Sequence, residues 1–137
     1  MDCMKNIAFF FLGGSAYVGL ELLWRGRSHI SMFGAGGVSF LLLGKLRTFP
    51  LPVRAAAGAG VITVVELGTG LLVNRDYHVW DYRQKPGNFK GQICPGFTAL
   101  WVPVSLVAMK LYEWLDNGNL GNRLRRGRVI CQVRHCD

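Results

Sequence analysis

The sequence predicts an all-α, polytopic membrane protein with about four transmembrane helices in two hairpins. Three observations carry this. Half of the 137 residues are apolar, and the mean hydropathy is positive. The apolar residues come in four blocks separated by charged punctuation. A soluble bundle would instead place charged residues every few positions along each helix's outer face. One domain is the expectation for this length. It covers residues 1–116, with spans near 7–24, 29–46, 55–73 and 93–109, and residues 117–137 form a basic tail.

The first block, Ile7–Trp24, is long enough to cross the hydrocarbon, which takes about 17–25 residues. It is followed by WRGRSH rather than a small-x-small cleavage site, so it reads as a retained span and not a signal peptide. The second block is rich in small residues, and Ser31–Ala35–Ser39 has the spacing of close helix packing. Lys45, Arg47 and the Pro50/Pro52 pair are expected to end it. The third block opens on AAAGAG, where Ala56–Gly60 repeats the small-residue spacing. A polar stretch from Asn74 to Gly91 follows, with Tyr77, Trp80 and Tyr82. Together with Trp24 these rings are expected to anchor the chain at headgroup level. The fourth block carries Pro95 and Pro103, tolerated where neighbours re-satisfy the freed carbonyl.

The net charge is +8. The bases lie between and beyond the apolar blocks and no nucleic-acid recognition module is present, so the expected partner is anionic lipid. The termini and the Lys45–Arg54 loop hold ten of the sixteen bases. By the positive-inside rule both termini then face the cytoplasm of a bacterial inner membrane. Cys3, Cys94, Cys131 and Cys136 form no C-x-x-C pair, which argues against a disulfide framework or a zinc site. The Cys131–His135–Cys136 cluster reads as incidental, and no metal or cofactor is expected.

Two acids interrupt the apolar blocks, Glu21 and Glu66. A carboxylate there costs about 2.5–3.5 kcal/mol on insertion scales, so each marks a functional hypothesis. Arg25 stands four residues after Glu21, the spacing of a helical ion pair. With the expected orientation, Glu21 lies about 5 Å and Glu66 about 10 Å below the outer boundary. The candidate site is Glu21, Arg25, His29, Glu66, Asn74, Arg75 and Asp81, a polar cavity binding a cation, a proton or a basic or polar solute. The alternative is a scaffold or partner subunit. There Glu21–Arg25 is only an ion pair, and Glu66 pins two helices through a backbone group or His29. An intramembrane enzyme comes third, with Cys94 as nucleophile and His29 or His78 as base. No catalytic or ATPase motif is present, so non-catalytic roles lead. The two halves echo each other faintly: each is a hairpin whose first helix carries an acid, and the parallel repeat this implies is weak.

The runs YVGLELLWRGRSHISMFGAGGVSFLLLG, ELGTGLLVNR and VWDYRQKPGNFKGQICPGFTALW resemble a family of small bacterial membrane proteins, the ABC-transporter type IV permease-like proteins. The resemblance covers about Leu12 to Trp114 and departs after about Asp116. Matching positions include Glu21, Trp24, Arg25, Gly26, Ser28, His29, Glu66, Asn74, Trp80, Asp81, Tyr82, Asn88, Gly91 and Gln92. The resemblance implies about four spans, a bacterial inner membrane and a role in transport. It supplies no substrate and no catalytic residue, and an ATP-binding partner subunit is implied by the label alone. Four short spans enclose little volume, so self-association is also expected.

Overall fold

The computed structural model describes residues 3–118, which form four helices with no strand among them: α1 (Cys3–Arg25), α2 (Ile30–Leu46), α3 (Leu51–Val73) and α4 (Pro95–Asn117). The basic tail, with Cys131, His135 and Cys136, lies outside the described residues. α1 ends because Gly26 takes φ +71° and its N–H returns to the Leu22 carbonyl at 2.9 Å. Three residues later His29 caps α2, its Nδ1 accepting from the Ser31 amide at 3.2 Å.

The starts of α3 and α4 differ from expectation for one reason. Proline obstructs a helix interior but suits its first turn, where an N–H has no partner anyway. Pro52 therefore starts α3 at Leu51 rather than merely closing the second block, and Pro95 starts α4. α4 continues through Pro103, on an exposed face, to Asn117 instead of stopping near Met109. By length and hydropathy, α1 and α3 are able to cross a membrane. α2 is apolar but has 17 residues, about 25 Å of helix and the short limit for a span. α4 is longer but carries Lys110, Glu113 and Asp116 in its last turns.

The chain runs up and down. α1 packs on α2, α3 on α4, and α2 also touches both α3 and α4. α1 meets α2 at Gly13 and Gly36: a Cβ on Gly13 would come within 2.9 Å of the Gly36 carbonyl, and one on Gly36 within 2.8 Å of the Gly13 carbonyl. The close approach thus runs through glycines, with Ala35 and Ser39 buried beside it. In α3 the expected Ala56–Gly60 spacing lies off the contact, since Gly60 has open space around it. The buried stripe is Gly58, Ile62, Glu66 and Gly70, four residues apart each time. Gly58 receives Ser105 and Met109 of α4.

Phe9, Phe40 and Tyr112 fill one end of the bundle. Leu43, Ala59, Ile62, Trp101 and Met109 form a second cluster. Met32, Ala35, Trp80, Tyr82 and Cys94 fill the other end. At the Phe9 end, the buried Asp116 carboxylate takes Lys5 at 2.6 Å and Arg47 at 3.0 Å. Arg47 also donates to the Gly44 carbonyl and lies over the Tyr112 ring. This clamp joins the start of α1 and the end of α2 to the end of α4.

Candidate functional site

The opposite end is closed by the 74–94 loop, which is built around one side chain. Asn74, fully buried at the C-terminus of α3, accepts at Oδ1 from the amides of Val79 (2.8 Å) and Trp80 (3.3 Å). Its Nδ2 donates to the Trp80 carbonyl (2.7 Å) and to Gln92 Oε1 (3.0 Å). Gln92 returns a bond to the Asn74 carbonyl at 3.0 Å, and the Trp80 indole donates to the Gln92 carbonyl at 2.8 Å. Asn88 ties the next turn, donating to the carbonyls of Arg83 and Lys85 and accepting from the Gly91 amide. Gly91 takes φ +65°, and a Cβ there would lie 2.6 Å from both Arg83 and Tyr77.

So folded, the loop turns its aromatics inward. Trp80 and Tyr82 are each 3 % exposed, so they are not the headgroup-level anchors the sequence led us to expect. The physical reason is that both polar handles find internal partners. Tyr82 stacks on Phe97 at 4.8 Å and 10°, and its hydroxyl donates to Glu66 Oε1 at 3.0 Å. Burial pushes the Tyr82 phenol well above its ordinary pKa, and the Glu66 charge pushes it the same way. Trp24 remains exposed and Tyr77 half-buried.

The loop's inward turn assembles a network between α1, α3 and α4. Arg25 Nε faces Glu21 Oε2 at 3.3 Å. Arg25 Nη2 donates to the Tyr82 hydroxyl and Nη1 to the Val79 carbonyl, both at 3.2 Å. Glu66 takes Tyr82 on one oxygen and the Trp101 indole on the other at 3.1 Å. Glu21 and Glu66 are both buried. Tyr17 stands beside them, its ring 5.9 Å from Trp101, near enough for both acids to act on its hydroxyl. The chain Glu21–Arg25–Tyr82–Glu66–Trp101 is thus two carboxylates served by one guanidinium and two neutral donors.

Of the seven residues expected at the site, Glu21, Arg25 and Glu66 are brought together, and Asn74 holds the loop that covers them. The other three are elsewhere. His29 is exposed and spends its ring on the α2 cap, pairing with the Ser31 hydroxyl at 2.7 Å. Arg75 is exposed and donates to the Leu71 carbonyl of its own helix. Asp81 is exposed and bound by Arg83, whose hydrogen bonds hold its carboxyl below the usual range. Cys94 is buried, while His78 pairs with Asp76 on the surface, so no nucleophile–base pair forms with Cys94 from His29 or His78. No cluster of possible metal ligands occurs among the described residues. The sequence reading missed Trp101, although a tryptophan in an apolar helix needs an acceptor for its indole N–H.

Most of the residues carrying the family resemblance have a place in this geometry. Glu66, Gly70 and Asn74 line one buried face at four-residue spacing. Arg25, Gly26 and His29 close one helix and open the next. Trp80, Asn88, Gly91 and Gln92 fold the loop. The fold and site therefore define an all-helical protein with an acidic network sealed under a structured loop. The chain belongs to the family described as Putative ABC-transporter type IV, which matches residues 21–130. The match runs past Asp116, where the resemblance was expected to end, so the first part of the basic tail belongs to the family pattern. No curated protein and no solved structure matches the chain. The family name is that of a transporter.

Proposed function

We propose that the chain is a membrane-embedded transport subunit whose Glu21–Arg25–Tyr82–Glu66 network binds and passes a proton or small cation. The observation that carries this reading is the charge count. Two buried carboxylates share one guanidinium, leaving room for one more positive charge in a region where uncompensated charge is costly. The setting supports it: Leu23, Val64, Leu72 and Val107 present large apolar surface outward, as lipid-facing helices do.

In this reading all four helices lie in the bacterial inner membrane. Both termini are cytoplasmic and the network lies near the outer face beneath the 74–94 loop. A second copy or an ATP-binding subunit completes the transporter. A single cysteine at Lys85, labelled only from outside the cell, is the expected result for this orientation.

The test is flux. Purified chain is reconstituted in liposomes with an entrapped pH dye under a potassium diffusion potential. Wild type acidifies the lumen, while Glu21→Gln and Glu66→Gln keep helical content and abundance but abolish the signal. One observation favours the scaffold alternative: both Glu66 oxygens are already satisfied by neutral donors from the loop and α4. If the two variants lose the fold instead of the flux, the acids are structural and the scaffold reading holds.

A further inference from the structure

The flux reading leaves one feature unused. A half-open cavity of about 270 Å³ lies between α1, α2 and α4, walled by Leu12, Ala16, Leu20, Leu43, Val104 and Leu111. It exists because α1 packs closely on α2 through Gly13 and Gly36 but reaches α4 mainly through long side chains, Phe9 to Tyr112 and Tyr17 to Trp101. Tyr17 and Ser39 are the only lining residues with polar side chains. Among the described residues the Tyr17 hydroxyl has no hydrogen-bond partner.

The cavity adjoins the acidic network at two points. Ile62, in its wall, stands one helical turn before Glu66 on the buried face of α3. Tyr17, also in its wall, packs on the Trp101 ring that holds Glu66. An apolar chamber thus opens against a phenol face with a carboxylate surplus behind it.

We propose that this cavity binds a small amphipathic monocation, a quaternary or protonated amine with a short apolar tail. The tail packs among the leucines and Val104, and the cationic head rests on Tyr17 within the field of Glu21 and Glu66. Each part of that class follows from the geometry. An anion meets two carboxylates and finds almost no donors in the wall. A neutral apolar molecule fills the chamber but leaves the surplus charge unanswered. A volume near the lower end of small-ligand pockets, about 300 Å³, admits a short tail rather than a whole phospholipid. The assignment rests on the transport reading of the acid pair and names its cargo class.

The experiment uses the full chain in nanodiscs of zwitterionic lipid, titrated calorimetrically with octyltrimethylammonium after subtraction of empty nanodiscs. Octanoate and octanol serve as tail-matched anion and neutral probes. The expected result is saturable binding of the cation alone. Glu66→Gln is expected to weaken it at least tenfold. Tyr17→Leu is expected to weaken it too, and Ala16→Trp, which fills the chamber from its wall, abolishes it with helical content unchanged. Should Glu66→Gln fail to fold, Glu21→Gln carries the charge arm. Equal binding of octanol or octanoate, no saturable cation binding, or Glu-to-Gln variants that bind as wild type each overturn the proposal. Proton flux with no cation binding removes this cargo class and keeps the transport reading. Cation binding without flux keeps the ligand and removes transport.

Discussion

The two ends of the bundle solve the same problem with opposite arithmetic. At the Asp116 end one buried carboxylate is served by two cations, Lys5 and Arg47, drawn from two other segments. At the loop end two buried carboxylates share one cation, Arg25, and neutral hydroxyl and indole groups make up the difference. An over-supplied acid is a fastener, because no further positive charge is wanted there. An under-supplied pair is a place where a positive charge can arrive and leave. The difference in supply, rather than in burial, separates a structural clamp from a candidate site.

The comparison can be broken most forcefully at the clamp. Asp116→Ala strands Lys5 and Arg47 in a half-buried setting and is expected to destabilise the bundle by about 4 kcal/mol, read as a lowered melting temperature in detergent. A loss of flux with unchanged melting would give the clamp the role assigned to the other end. Next comes the loop's keystone. Asn74→Ala removes four hydrogen bonds at once and should cost about 3 kcal/mol. Hydrogen exchange should show the loss over residues 74–94 while the Asp116 end stays protected.

Tyr82→Phe is smaller, about 2 kcal/mol, since it strips one hydroxyl from both Arg25 and Glu66. It carries a pH signature as well. Burial raises the Tyr82 pKa, so the docked loop favours the neutral phenol. That contribution is whole below the free phenol's pKa of about 10 and fades as pH rises through it towards the raised value. Wild-type loop protection should therefore fall on the alkaline side of pH 10, and Tyr82→Phe should flatten the dependence.

Gly70→Ala follows, at about 1 kcal/mol. Its new Cβ would stand 2.9 Å from the Gln92 amide carbon and 3.0 Å from the Trp80 ring, wedging the loop without touching a charge. Asp81→Asn is expected to leave melting within about 0.5 kcal/mol of wild type. A large loss of flux in this last variant would mean that the exposed Asp81–Arg83 pair belongs to the site after all.

How much of this was legible in the sequence depends on the range of each interaction. Glu21 with Arg25, and Glu66 with Gly70 and Asn74, repeat at helical spacing, so their shared faces could be read directly. Two acids in apolar blocks marked, for the same reason, the helices between which the buried network forms. The contacts that complete the site are not local. Tyr82 lies 57 residues from Arg25 and Trp101 lies 35 from Glu66. An aromatic loop has one composition whether its rings face a headgroup layer or turn onto helices, so Trp80 and Tyr82 read as anchors. His29 looked like a ligand because an imidazole beside an acid-bearing helix end is ambiguous, and here the cap took it. The clamp was wholly hidden, because Lys5 and Asp116 are 111 residues apart.

The i, i+4 pairing of Glu21 with Arg25 also has a meaning in time. Arg25 follows Glu21 by a single helical turn, so the two can meet as soon as α1 coils, before α3 or the loop has been synthesised. Its later partners, the Val79 carbonyl and the Tyr82 hydroxyl, emerge more than fifty residues downstream. The first hairpin therefore carries its own counter-ion during biogenesis. The second hairpin then takes up a share of that charge when Glu66 and Tyr82 dock, and assembly ends with one arginine in common between the two halves.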